Sequence, residues 1–330
     1  MLGLSLIRRS WIMALVLVIP APTSAGTITL AWNGVSGATG YRIYYGTATG
    51  QYTASMDGGN ACQSAGETAT CQATVASLAD CTTWYLAVKA YNAAGEESPD
   101  FSNEVSGWPA PRIDSLTTIS TRQGTQVTVG VRGANFPAGS SLEFVPPSGE
   151  TVVCGSPPAP VPNPSLGNVR ADSVSVTSCD GAGCCQGMQS LVSAAGSIVG
   201  EQAAEVGKWD ATVLAPAGPD GRHVFGTRHQ AFEVLINPIR FDVNTSDEST
   251  GGVKRLTTAD TQWLLSSNAS FLVNPNSCRR DPRYLEVVDL DGNGMIDGED
   301  IAYIYSSGVT DLLETCWNGT TWSASACPSR

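Results

Sequence analysis

The chain has 330 residues, with 18 Lys and Arg against 30 Asp and Glu, a formal net charge of -12. That length leaves room for two or three domains, and the acidic balance argues against non-specific binding to nucleic acid or to an anionic membrane, which needs clustered cations. Only 15% of residues are charged while 35 are Gly and 19 Pro, so turn-rich β structure is expected rather than coiled coil. Two histidines leave little for His-dependent catalysis.

Residues 1–25 read as a signal peptide. Ile7-Arg8-Arg9-Ser10 is a positive leader, and Trp11 to Ile19 is apolar but too short to span a bilayer comfortably. Pro20, Pro22 and the small residues Thr23-Ser24-Ala25 resemble a cleavage region, with the cut after Ala25. The alternative is an uncleaved membrane anchor. Cleavage removes Arg8 and Arg9 and leaves 16 cations against 30 acids, or -14. No later segment approaches the ~18 apolar residues of a spanning helix, so no membrane span remains after cleavage and the mature chain is expected to be secreted or held at the cell surface.

Ten cysteines, at 62, 71, 81, 154, 179, 184, 185, 278, 316 and 327, fit an oxidising compartment. Cys62 with Cys71, Cys154 with Cys179 and Cys316 with Cys327 are the short-range pairs expected, leaving Cys81 and Cys278 to find distant partners. Cys184 and Cys185 are expected to pair separately. No C-x-x-C spacing exists, which argues against a zinc ribbon or a thioredoxin-type site.

Residues 26–108 show strand alternation. Leu30 and Trp32, then Tyr41, Ile43 and Tyr45, then Trp84, Leu86, Val88 and Ala90 each line one side, with turn signals between them. One apolar face per strand demands a second sheet to cover it, hence a β-sandwich. Trp32, Gly40-Tyr41-Arg42-Ile43-Tyr44-Tyr45-Gly46, Leu78 and Trp84 through Asn92, with Gly95-Glu96-Glu97-Ser98, resemble the fibronectin type III family. That family places a corner tyrosine six residues after the leucine, where this chain has Trp84, whose indole N–H can donate instead. Tyr44, Tyr85 and Tyr91 are either a sugar-stacking platform or ordinary cross-strand packing.

Trp108-Pro109-Ala110-Pro111 reads as a short stiff linker. Over 109–236, Pro111 through Leu116, Gly124 through Val129 and Gly133-Ala134-Asn135-Phe136 resemble the start of the IPT/TIG immunoglobulin-like family. Trp209 through Pro216 and Ala231-Phe232-Glu233-Val234 resemble its last strands. Residues 150–206 between them, with a Pro-rich run and four cysteines, exceed the loop a compact sandwich needs. They read as a disulfide-tied spacer or a partner-binding excursion, with a short helix possible between Met188 and Val206. His223 and His229 have no ligand pattern around them and read as ordinary strand or loop residues.

The sharpest chemical signal lies in 237–310. Asp289-Leu290-Asp291-Gly292-Asn293-Gly294-Met295-Ile296-Asp297-Gly298-Glu299-Asp300 matches a twelve-residue cation loop. A hard ion such as Ca²⁺ takes six to eight oxygens at ~2.3–2.6 Å. Asp289, Asp291 and Asn293 supply them at positions one, three and five, Met295 offers its carbonyl at seven, Asp297 acts through water at nine, and Asp300 closes the sphere at twelve. Gly294 permits the sharp turn and Ile296 packs away from the ion. Ile301, Ile304 and Tyr305 then give a short helix with an apolar side.

Asp rather than Glu at the twelfth position, with Pro282 where an entering helix would lie, resembles a dockerin-type half loop. Dockerins carry two halves, and Phe241 to Ser246, then Leu256 to Asp260 with Trp263-Leu264-Leu265, resemble a first copy. The resemblance implies Asp242, Asn244, Ser246 and Asp260 as its ligands. Asp242 to Asp260 spans 18 positions against 11 for Asp289 to Asp300, so the first copy carries an insertion of seven. The resemblance also implies that Thr258-Ala259 and Gly298-Glu299, at the tenth and eleventh positions, help select a cohesin-like partner. Residues 311–330 read as a disulfide-closed tail.

The fold class expected is therefore mainly β: two tandem immunoglobulin-like sandwiches and a small helical calcium-loop module. No G-x-S-x-G elbow, H-E-x-x-H or Walker loop is present, so no enzyme is expected. Two functions remain. One is a calcium-binding interaction protein that docks to a cohesin-like or other surface scaffold. The other is a non-catalytic accessory protein that binds extracellular polysaccharide.

Overall fold

The structure, a computed structural model, describes residues 25–60, 62–63, 70–154, 159–197, 201–217, 223–243, 255–265, 277–278, 286–317 and 322–327. The signal-peptide reading of 1–25 thus falls almost wholly outside the described residues. The chain is mainly β. Its first seven strands are β1 (Gly26–Asn33), β2 (Gly40–Gly46), β3 (Ala54–Gly59), β4 (Cys62–Gln63), β5 (Thr70–Leu78), β6 (Trp84–Tyr91) and β7 (Val105–Gly107). They form two antiparallel sheets, β1-β5-β4 and β3-β2-β6-β7.

Period-two alternation turns Leu30, Val75 and Leu78 of one sheet toward Tyr41, Ile43, Leu86 and Val88 of the other, and these enclose one apolar cluster. The Trp84 indole N–H donates to the Ala79 carbonyl at 3.3 Å, so it anchors the corner as the sequence suggested. Tyr44, Tyr85 and Tyr91 are half-buried rather than presented as a platform. The Tyr44 hydroxyl donates to Glu97 and the Tyr91 hydroxyl to Asp57, while the Tyr44 ring meets Phe101 edge-on at 5.1 Å. This is cross-strand packing.

A second pair of sheets follows. Its strands are β8 (Arg112–Leu116), β9 (Ser120–Arg122), β10 (Gln126–Pro137), β11 (Ser141–Val145), β12 (Thr151–Cys154), β13 (Ala159–Pro162), β14 (Val169–Cys179), β15 (Cys184–Ala194), β16 (Gly207–Leu214) and β17 (Phe225–Leu235). Sheets β14-β15-β10-β8 and β11-β16-β17-β9 close over a cluster centred on Phe136, Trp209 and Phe232, and β12-β13 forms a separate hairpin.

Two expectations for 150–206 are corrected here. The stretch is not a spacer, because β14 and β15 are integral strands whose Val174, Val176, Met188 and Val192 pack on the core. Nor does a helix begin at Met188: Met188, Ser190 and Val192 are buried while Gln189 and Leu191 are exposed, the two-residue period of a strand.

The cysteines obey strand register more than sequence proximity. Cys62–Cys71 and Cys316–Cys327 pair as expected, and Cys81 finds its distant partner in Cys184. Cys179 bonds Cys185 rather than Cys154, because the β14-β15 ladder sets Cys179 and Cys185 directly opposite one another. Cys154 is instead buried on β12 beside Val152, Val161 and Met295.

Residues 236–327 begin with a single 3₁₀ turn, Pro238–Phe241. They continue through β18 (Arg255–Leu256), α1 (Thr258–Leu264), β19 (Ser277–Cys278), β20 (Met295–Ile296), α2 (Gly298–Ile304), α3 (Ser307–Thr310), β21 (Thr315–Trp317) and β22 (Trp322–Ser323). Phe241, Leu256, Leu264, Leu290, Ile304 and Val309 share one small core. The expected helix after the cation loop is present as α2, with Ile304 buried, but Tyr305 is exposed rather than on its apolar side. The tail folds back through β21, which pairs with β18. Among the described residues, no helix is long and apolar enough to cross a membrane.

More than a linker joins the first four sheets. Besides Cys81–Cys184, Arg112 pairs with Asp80 at 2.9 Å, and buried Asn135 accepts from the Cys81 amide at 2.7 Å while donating to Asp80 at 2.8 Å. Asn135 holds φ +62, a left-handed conformation that Asn tolerates better than most side chains. Asn135→Gly keeps that conformation and loses the bonds, whereas Asn135→Ala loses both. Denaturant titration should find both variants destabilised, with the Ala variant worse by about 1 kcal/mol.

Candidate metal centre

The Asp289–Asp300 segment is shaped by its own side chains. Gly292 and Gly294 sit at φ +79 and +87, where a Cβ would be strained, and so let the chain reverse tightly. Their amides donate to the two carboxylate oxygens of Asp289 at 2.8 and 2.9 Å. Asp291 accepts from the Asn293 amide at 3.0 Å, and the Asn293 side-chain oxygen accepts from Met295 N at 2.7 Å. Asp297 caps α2, accepting from Glu299 N at 2.8 Å, and Asp300 accepts from Asp297 N at 2.8 Å and Leu290 N at 2.7 Å.

This wrapping brings Asp289, Asp291 and Asp300 together, each buried and each offering an oxygen within 4.8 Å of the others. Oxygens that share one ion at ~2.3–2.6 Å lie no more than about 5 Å apart, and the three meet that spacing. Asn293 is also buried, Met295 and Asp297 are half-buried, and Ile296 points into an apolar cluster as its position in the loop requires. The donor set is all oxygen, which suits a hard cation.

The first half repeats the same scaffold. Val243 N donates to Asp260 Oδ1 at 2.9 Å as Leu290 N does to Asp300, and Thr257 N donates to Asp260 Oδ2 at 2.8 Å as Asp297 N does to Asp300. Thr257 caps α1 through Ala259 N in the place where Asp297 caps α2. Asp242 therefore occupies the place of Asp289, and both Asp242 and Asp260 are buried. Asn244 and Ser246, the other ligands expected there, lie outside the described residues. At the helix starts, Thr258, Gly298 and Glu299 are exposed and Ala259 half-buried.

Burial and mutual repulsion shift the acids. Loss of hydration, then the neighbouring Asp300 and Asp289 charges, push Asp291 up to about 10. Asp300 is raised well above the carboxylate range, by burial first and then by Asp289. Glu205 is raised chiefly by burial, with Asp289 adding to the effect. Its carboxylate is held by Ser148 and Asn163 beside the loop.

Two groups escaped the sequence reading. Arg240 is a fully buried guanidinium that donates to the carbonyls of Glu201, Glu286 and Asp289 at 2.8 to 3.0 Å. Its only local signal is a cation set between Ile239 and Phe241. His229 has a carboxylate partner, Asp210, at 2.7 Å, made by strand pairing between β16 and β17 rather than by proximity in sequence. Cys81, Cys184 and Asp180 also converge, but the two sulfurs are bonded to each other and are not available as ligands.

No protein-family model matches the chain, and no curated protein matches it. Three solved structures align weakly. Titin domains z1z2 in complex with telethonin share 15% identity at TM-score 0.18, covering 65% of this chain and 89% of that one. A marsupial T cell receptor shares 13% at TM-score 0.19, covering 66% and 70%. The purple acid phosphatase PPD1 from yellow lupin (Lupinus luteus) seeds shares 10% at TM-score 0.20, and the chain spans 62% of its own length and 38% of that enzyme. Scores this low carry no functional argument.

The raised acids fix a pH dependence. An unfolded Asp titrates near ~3.9, so between there and the higher folded value the native state holds protons that the unfolded chain has released. The metal-free fold therefore loses stability as pH rises through this window. In chelator, the melting temperature should fall between about pH 5 and about pH 8, and Asp291→Asn should flatten that slope.

Proposed function

We propose that the protein is a secreted or cell-surface, non-enzymatic interaction protein whose C-terminal dockerin-like module is shaped by calcium. In this reading residues 1–25 are removed on export. Residues 26–108 and 109–236 are immunoglobulin-like spacer or adhesion domains, 237–310 is the docking module, and 311–330 is its disulfide-closed tail. Four disulfides are compatible with an extracellular site.

One observation carries the reading. Asp289, Asp291 and Asp300 are all buried, and each offers a carboxylate oxygen within 4.8 Å of the other two. Buried carboxylates are tolerated when they are paired or bound to metal, and three that converge on one point suit a hard divalent ion. Asp289, Asp291, Asn293, Asp297, Asp300 and the Met295 carbonyl would hold one ion, and Asp242, Asn244, Ser246 and Asp260 a second. Thr258, Ala259, Gly298 and Glu299 would then face a cohesin-like partner or another surface scaffold.

Calorimetric titration of the full chain should show calcium binding. At a concentration one hundred times Kd, the ion should stabilise the module by about 2.7 kcal/mol. Asp289→Ala combined with Asp300→Ala should remove the calcium-induced rise in melting temperature. Identical wild-type melts in calcium and in chelator would sink the proposal.

A further inference from the structure

The cation loop does not stand apart from the second sandwich. Val206 N donates to the Asp291 carbonyl at 2.7 Å, and the Ser165 hydroxyl donates to the Gly292 carbonyl. A Cβ on Gly292 would lie 3.0 Å from the Ala204 carbonyl oxygen, and one on Gly294 only 2.2 Å from the Pro164 ring. The loop backbone is thus seated directly on residues 164–165 and 203–206, the stretch that sequence reasoning read as a spacer. Arg240 binds the Glu201 carbonyl on one side of the junction and the Asp289 carbonyl on the other. Gln123, also buried, holds the seat from behind through the Ala204 carbonyl at 2.8 Å.

We propose that residues 164–165 and 203–206 form a docking surface for the Asp289–Asp300 loop, and that calcium in the loop closes it. This inference rests on the calcium reading above. Two constraints link ion and interface. The docked contacts use the carbonyls of Asp289, Asp291 and Gly292, whose positions are fixed by the same tight turn that gathers the ligand oxygens. In the docked loop three carboxylates also lie buried within 4.8 Å of one another, where their charges repel. An ion removes that repulsion, so the closed interface and the loaded loop favour each other. Linkage makes the effect reciprocal: weakening the seat must weaken calcium binding.

The test uses the full chain, titrated with calcium chloride by calorimetry and followed by hydrogen-exchange mass spectrometry in calcium and in chelator. Calcium is expected to slow exchange about tenfold in peptides carrying Ser165 and Val206, which lie outside the loop. Ser165→Ala is expected to weaken calcium binding several-fold, while its first two sheets keep wild-type exchange. Calcium heat with unchanged exchange at 165 and 206, or with unchanged affinity in Ser165→Ala, would overturn the docking inference and leave the calcium reading standing. Absence of calcium heat in the wild type would overturn the calcium reading and, with it, this one.

Discussion

The C-terminal third is organised around buried carboxylates, Asp242, Asp260, Asp289, Asp291 and Asp300 among the described residues. A carboxylate removed from water without compensation is costly enough that it ordinarily takes up a proton. Here five acids are buried among the described residues, while the small core around them rests on a handful of side chains such as Phe241, Leu256, Leu264 and Leu290. Much of the local architecture follows from hydrogen bonds that hold these carboxylates. Asp289 fixes the turn, Asp291 and Asn293 carry it onward, and Asp260 and Asp300 tie each helix start to the strand-like segment entering its half.

The duplicated cap shows how such a site is built from short pieces. Each helix is seven residues long, below the length at which a helix is stable alone. Its N-terminal amides are satisfied by a capping residue, Thr257 or Asp297, and by the acid three positions on. That acid reaches back to an amide in the incoming segment, Val243 or Leu290, and closes the half into one hydrogen-bonded unit. The seven-residue insertion in the first half leaves this closure unchanged, because the bonds involve only the two ends of the loop.

Features that are local in sequence were legible, and those made by long-range pairing were not. Position-by-position spacing picked out the 289–300 loop because the side chains it gathers lie within twelve residues. Period-two alternation revealed the strands holding Tyr41, Ile43, Leu86 and Val88. Alternation does not fix which strands adjoin, so the Cys179–Cys185 bridge and the integral role of β14 and β15 emerged only with the sheet register. The loop's seat was hidden for the same reason. Ser165 and Gly292 are 127 positions apart, and Arg240 reaches Asp289 across 49. The Pro-rich run and four cysteines in 150–206 read as a disulfide-tied spacer or a partner-binding excursion, although Pro164 there packs so closely on Gly294 that a Cβ would not fit.

Seating one side of the loop on the chain itself also limits what an outside partner can meet. The helix starts are at least partly exposed, and they differ in chemistry. Thr258 with Ala259 offers a hydroxyl and a methyl, whereas Gly298 with Glu299 offers bare backbone and a carboxylate. A partner that reads both starts through the internal repeat would have to accept a neutral donor at one and an anion at the other. Exchanging the two by rotation would leave the carboxylate opposite a group chosen for the hydroxyl, a desolvation and repulsion penalty of the kind that separates right from wrong partners. The two halves therefore share a scaffold but differ in their outer face, and a partner that met both helix starts would have one orientation to prefer.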